Sequence, residues 1–187
     1  MQISYFKRYR MQIDLSEAAP SPPKKLPEGF AFLPWHEDLL EAHAQAKYQS
    51  FQYELDCNVF PCLGNEHGCE RLMNEISSRR GFVPQATWLL RYIDPESGRQ
   101  TDCGTVQGIR EQPDVGCIQN IGIVPEFRGR GLGSAIVSQC VQGFASTGVR
   151  FVNLEVTANN TRAHRLYQRL GFRLLKVVFK SVEVPLV

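Results

Sequence analysis

The sequence predicts an α/β fold on one mixed sheet, with strands that pair antiparallel early in the chain and then feed a strand–helix–strand–helix–strand run. Three observations predict it. Short blocks of alternating or strongly apolar residues occur before residue 124, as strands require. Two stretches between residues 40 and 76 carry apolar residues three and four apart, which is the helical period. From 117 to 184 the two patterns alternate, and such alternation gives parallel strands joined through helices.

Taken in order, Tyr5, Tyr9, Met11 and Ile13 share one parity while Arg8, Arg10 and Gln12 share the other, which places a short strand near the N-terminus. Pro20, Pro22, Pro23 and Pro27 follow; proline lacks a backbone donor and fixes φ, so this stretch reads as a linker. The expected division is an N-terminal extension over 1–27 and a single domain over 28–187. Gly29–Leu33 reads as a strand. Leu40, Ala44, Tyr48, Phe51 and Leu55 mark one helix, and Cys69, Leu72, Met73 and Ile76 a shorter one ending near Gly81. Ala86–Ile93 is a strand, and the turn Asp94-Pro95-Glu96-Ser97-Gly98 leads to strand Gly104–Arg110. After a turn holding Pro113 and Asp114 come strand Cys117–Val124, a helix over 131–147, a strand over 151–158, a helix over 160–169 and a strand over 172–184.

At 187 residues the chain is long enough for one domain, which would bury roughly 70% of the unfolded surface. With 43% hydrophobic and 21% charged residues, collagenous, coiled-coil and fully disordered readings are excluded. No run approaches the ~20 apolar residues of a membrane span, and Met1–Arg8 carries charge where an export signal needs an apolar stretch. The expectation is a cytoplasmic protein whose six cysteines are thiols. The 21 Lys+Arg against 19 Asp+Glu give no global argument for nucleic acid, but the charge is unevenly spread. Residues 1–127 hold 12 basic and 17 acidic side chains, whereas 128–173 hold seven arginines and one acid, Glu155. A basic half suits a polyphosphate, and an acidic front favours cationic partners.

The most informative stretch, Val124-Pro125-Glu126-Phe127-Arg128-Gly129-Arg130-Gly131-Leu132-Gly133-Ser134, leaves a strand and enters a helix. Glycines there permit a tight turn and close approach of a ligand, while the first unpaired N–H groups of the helix and its positive dipole end attract an anion. The P-loop Gly-Lys-Ser/Thr is absent. The G-x-G-x-x-G of a dinucleotide fold is also absent, and only 32 residues follow Glu155, too few for the second half of such a sheet.

The spacing Arg128-x-x-Gly131-x-Gly133 instead resembles the pyrophosphate motif of the GCN5-related N-acetyltransferases (GNAT). Asn160, Ala163, Leu166-Tyr167 and Gly171-Phe172 resemble that family's second signature, in the right order and separated by the right elements. The likeness covers about 117–173. It implies a mixed sheet, antiparallel in its N-terminal half, with helices on both faces and a splayed parallel pair that admits the cofactor. It also implies acetyl transfer from acetyl-CoA to a primary amine by direct attack in a ternary complex. Residue by residue, Arg128 and the amides of Gly129, Arg130, Gly131, Leu132, Gly133 and Ser134 would hold the pyrophosphate. The backbone of Gly122, Ile123 and Val124 would pair with the pantetheine arm like an added strand. Asn160 would contact the cofactor or simply cap a helix. Tyr167 would protonate the departing thiolate, unless it is only a core tyrosine, and an amide near Ile123 would hold the oxyanion.

Glu155 is the candidate general base. It shares a strand parity with Asn153 and Thr157, opposite to Val152, Leu154 and Val156, so it faces away from the apolar side. The equivalent of an acid on the preceding strand is Gln119, which cannot act as a base. Cys57, Cys62, His67 and Cys69 lack the paired C-x-x-C of a structural zinc site, so no metal is expected. His36, His43 and His164 are isolated, and Arg162, Arg165 and Arg169 form a helix face that is solvated or reaches phosphate or RNA. The expected partners are acetyl-CoA and an amine acceptor, with no membrane and no nucleic acid, and a homodimer is left open. The alternative is a non-catalytic acyl-CoA-binding regulator of the same fold.

Overall fold

The structure, a computed structural model, describes residues 2–17 and 25–184. The strands are β1 (Gln2–Asp14), β2 (Phe30–Pro34), β3 (Trp88–Ile93), β4 (Gln100–Gln112), β5 (Val115–Ile123), β6 (Phe151–Thr157) and β7 (Arg173–Val184). The helices are α1 (Leu40–Phe51), α2 (Asp56–Val59), α3 (Glu66–Ser77), α4 (Leu132–Ser146) and α5 (Thr161–Arg169). Each expected strand is present. Helix α1 stops at Phe51, short of Leu55, and the single turn α2 follows where no element was expected.

All seven strands form one sheet in the order β2-β3-β4-β5-β6-β1-β7. Only β5 and β6 run parallel; the other pairs are antiparallel. The first strand therefore corrects the expected extension. It is an interior strand of 13 residues, with Arg8 opposite Thr157 of β6 on one side and Tyr9 opposite Val177 of β7 on the other. Its apolar parity enters the main core, where Met11 is fully buried and Ile13 nearly so. Its polar parity hydrogen-bonds across to β6, as where Gln12 Nε2 donates to Asn153 Oδ1 at 2.9 Å. Pro20, Pro22 and Pro23 lie outside the described residues.

Helices cover both faces, as the strand alternation of β4 makes plain. A Cβ at Gly108 would meet the Phe144 ring of α4 at 2.8 Å, whereas Thr105 and Gln107 bond to His43 and Lys47 of α1. In β5 one extra residue interrupts this alternation: Thr105 faces Gly122, but Gln107 faces Gln119. This is a β-bulge, with Asn120 in the left-handed region at φ 49°, a conformation asparagine tolerates. The bulge turns Gly122 toward Ser50 and Phe51 of α1. Just before it β5 leaves its neighbour, since the β5–β6 ladder holds only Val115–Cys117 against Phe151–Asn153. Beyond that point the two strands diverge, and β6 keeps its partner β1 as far as Thr157.

Candidate active site

The glycine-rich turn closes the end of the diverging β5. A short 3-10 turn over Pro125–Phe127 leads to Gly129 and Gly131, both left-handed at φ 80° and 78°. A Cβ at either would meet nothing within 4 Å, so the turn presents bare backbone to an open space. Gly131 is the N-cap of α4 and supplies no side-chain cap; the first helical bond runs from Ala135 N–H to Gly131. The N–H groups of Gly129, Arg130, Gly131, Leu132, Gly133 and Ser134 donate to no group among the described residues. Unpaired amides at the positive end of a fifteen-residue helix are matched to a phosphate anion. Leu132 is buried and anchors the turn, and Arg130 stays exposed with its guanidinium 5.7 Å from the Phe127 ring.

Arg128 departs from expectation. Its backbone N–H bonds to Pro125. Its Nε donates to the Ile123 carbonyl at 2.8 Å, Nη2 to the Ser50 carbonyl at 2.9 Å, and Nη1 to Glu54. Every nitrogen of the side chain is thus used inward, and Arg128 ties the turn to β5 and to α1. Asn160 caps α5, its Oδ1 accepting from Ala163 N–H at 3.1 Å. Val124 N–H donates to Cys103 of β4, so the N–H of Ile123, one residue earlier, points the other way, into the space left by β6.

On the β6 side, Tyr167 of α5 is buried against Phe172. Burial pushes its hydroxyl pKa up, the Asp56 charge raises it further, and Arg8 opposes both. Glu155 lies on the polar parity of β6, against β1, and both of its oxygens accept from guanidinium groups. Arg10 donates to Oε1 through Nε at 2.9 Å and Nη2 at 2.8 Å, and Arg8 Nε donates to Oε2 at 3.3 Å. These bonds orient the Glu155 carboxylate between two arginines.

Sequence reasoning missed the segment that bridges the diverging strands. Glu54 is held by Arg128 beyond the end of β5. Two residues on, Asp56 Oδ1 accepts from Thr157 Oγ1, the last residue of β6, at 2.9 Å and lies 3.6 Å from Arg8 Nη1. Phe60 then receives Lys180 and Arg8 over its ring at 3.9 and 4.9 Å. Nothing local in Glu54–Phe60 foretells this; the only signal was the arginine parity of β1.

A second polar group lies under α1. Lys47, fully buried, donates through Nζ to Gln107 Oε1 at 2.7 Å, and Gln107 Nε2 donates to Thr105 Oγ1 at 2.6 Å. Burial pulls the Lys47 pKa down to about 7. His43 Nδ1 lies 2.8 Å from Thr105 Oγ1 while its Nε2 is buried without a partner, and burial, then the charge of Lys47, takes its pKa to about 3. Cys69 is pushed up to about 11 by burial. Among the described residues no group of three or more His, Cys, Asp or Glu could hold a metal ion, and no helix is long and apolar enough to cross a membrane. Arg162, Arg165 and Arg169 are exposed.

Comparison with known proteins extends the picture. Residues 64–172 match the acetyltransferase (GNAT) family. An uncharacterized N-acetyltransferase of Methanocaldococcus jannaschii is 38% identical over 77 residues, 41% of this chain and 34% of that protein. The mycothiol acetyltransferase of Actinosynnema mirum is 38% identical over 63 residues, 34% of this chain and 21% of that protein. The match thus spans about a third or less of those curated relatives. A GCN5-related N-acetyltransferase from Sphaerobacter thermophilus superposes with a TM-score of 0.68 at 26% identity, over 95% of this chain and 51% of that one. The ribosomal-protein-S18-alanine N-acetyltransferase of Escherichia coli shares the fold, with a TM-score of 0.58 at 14% identity over 84% of this chain and 96% of that one.

Proposed function

This chain belongs to the acetyltransferase (GNAT) family, and from that membership we propose that it moves an acetyl group from acetyl-CoA to a primary amine of a small molecule, peptide or protein. The observation that carries the reading is the uncapped start of α4, with its row of unpaired amides, at the end of two strands that part after Cys117. These residues fit the cofactor: bare backbone at Gly129 and Gly131 suits a pyrophosphate, and Arg130 adds an exposed positive charge. Arg128 serves by bracing the turn. The backbone of Gly122, Ile123 and Val124 would carry the pantetheine arm, and the outward N–H of Ile123 suits a pantetheine amide or the thioester oxygen as negative charge develops on it.

When bound, acetyl-CoA supplies an activated thioester carbonyl. The residues of the chain then hold and move protons around it. Tyr167 carries its proton at neutral pH as tyrosines ordinarily do, burial disfavours the phenolate further, and the hydroxyl gives that proton to the departing sulfur. Asn160 fixes the start of the helix that carries it. The experiment is to measure free-thiol release from acetyl-CoA over a panel of small amines, lysine peptides and N-terminal peptides, with calorimetry of CoA binding alongside. Thiol release with at least one acceptor class is expected. Binding without release for any amine identifies an acyl-CoA-binding regulator, and absence of CoA binding removes the reading altogether.

A further inference from the structure

Acetyl transfer to an ammonium needs a group that takes a proton, and the expected one is already engaged. Glu155 is held by Arg8 and Arg10, and Gln119 carries no charge and donates through Nε2 to Cys117 Sγ at 3.3 Å. Glu54 is held by Arg128, and His164 packs tilted against Tyr9, 5.0 Å between ring centroids, on the parity that enters the core. Lys47 lies fully buried beneath α1.

Asp56 shares Arg8 with Glu155 but is held through one oxygen alone. It opens α2 at the C-terminal end of β6, and Thr157 Oγ1 donates to its Oδ1 at 2.9 Å. Arg8 Nη1 donates to the same hydroxyl at 3.0 Å and stands 3.6 Å from Oδ1. The second oxygen, Oδ2, accepts no hydrogen bond among the described residues, and the side chain retains 19% of its exposure. The carboxylate is therefore oriented through one oxygen and open through the other. Thr157 ends β6 well past Asn153, where the ladder to β5 stops, so the carboxylate it holds lies at the end of the gap between the diverging strands.

We propose that Asp56 binds the acceptor as an ammonium and takes its proton, with Thr157 and Arg8 as positioning residues; this rests on the acetyltransferase reading above. Asp56 removes one proton from R–NH3+, giving R–NH2 and a neutral carboxylic acid. The amine nitrogen forms a bond to the acyl carbon of the thioester and the carbon–sulfur bond breaks, its electron pair leaving on sulfur. Tyr167 protonates that thiolate and recovers a proton from the former amine nitrogen, now an amide. Asp56 releases its proton to solvent, so the balance is one amide, one thiol and one proton. The unbonded Asp56 oxygen favours an acceptor that can donate to it as a cation over an alcohol or a thiol.

The test compares the parent with Asp56→Asn, which preserves the acceptor for the Thr157 hydroxyl, and with Thr157→Val, which removes the hydroxyl that orients the carboxylate. With the best amine of the panel, Asp56→Asn is expected to lose about 100-fold or more in kcat/KM for the amine at pH 7, within the usual range for removing a base. CoA affinity by calorimetry should stay within about twofold, which shows that the variant is folded. The loss should shrink as pH rises and the amine enters already neutral, and Thr157→Val should show a smaller loss with the same trend. Arg8, Glu54, Cys57, Arg128, Tyr167 and Lys180 are charged or titratable side chains on or against Asp56 and its segment, and all are retained in both variants. An Asp56→Asn protein with the parent's kcat/KM and pH profile overturns the proposal while leaving the acetyltransferase reading intact. A parent that releases no thiol with any amine overturns both.

Discussion

Tyr167 shows how a single side chain can be required by the core and by chemistry together. Its ring packs on Phe172 at 6.2 Å between centroids, and phenylalanine preserves that contact while removing only the hydroxyl. Tyr167→Phe is therefore expected to keep its melting temperature and CoA affinity while kcat falls by about 10²–10⁴-fold. An unchanged rate of thiol release removes Tyr167 as the acid. Its position was legible because the signature residues lie within one helix and its ends. Arg128 was legible in position but not in use: its guanidinium bonds to the Ile123 and Ser50 carbonyls, and only the fold brings α1 there.

At the scale of the element, α1 carries a polar stripe of His43, Lys47 and Ser50 at helical spacing, all buried against the sheet. The apolar stripe through Ala44 and Phe51 was readable in the sequence; the polar one was not, since buried lysine is rare unless paired and Gln107 lies 60 residues away. This stripe sets the pH dependence of stability. A lysine whose folded pKa is depressed to about 7 binds fewer protons folded than unfolded between about 7 and its ordinary value near 10.4. Stability therefore rises with pH above 7. His43, depressed to about 3, acts in the same sense lower down, so stability falls as pH drops from about 6.5 toward 3. Buried thiols act oppositely: Cys69, raised to about 11, and Cys103 and Cys117, raised to about 12, keep protons that the unfolded chain loses above about 8.5. Urea midpoints are expected to climb from pH 4 to about 8.5 and fall beyond it. In Lys47→Met the climb between pH 7 and 8.5 should flatten, and a parent-like climb there would show that Lys47 does not titrate in that range.

For the whole molecule, the decisive feature is the placement of β1 between β6 and β7. Removing residues 1–16 would strip β6 and β7 of their shared partner, expose two open edges, and take Met11 and Ile13 from the core. Each buried side chain contributes about 1.5–3 kcal/mol, against a total stability of about 5–15 kcal/mol for a domain. The truncated chain is expected to lack a cooperative melting transition by circular dichroism, and a parent-like transition would show that β1 is dispensable. The sequence by itself determined the strand–helix order, the glycine turn with the start of α4, and the α5 signature, because each depends on the conformation of a few consecutive residues. Only the tertiary structure decided that the first strand lies inside the sheet, that Arg8 reaches Glu155 across 147 residues, and that Thr157 holds Asp56 across 101. Those pairings follow from strand order, which local periodicity does not encode: an alternating segment shows that it has a face to bury, not which two strands will flank it.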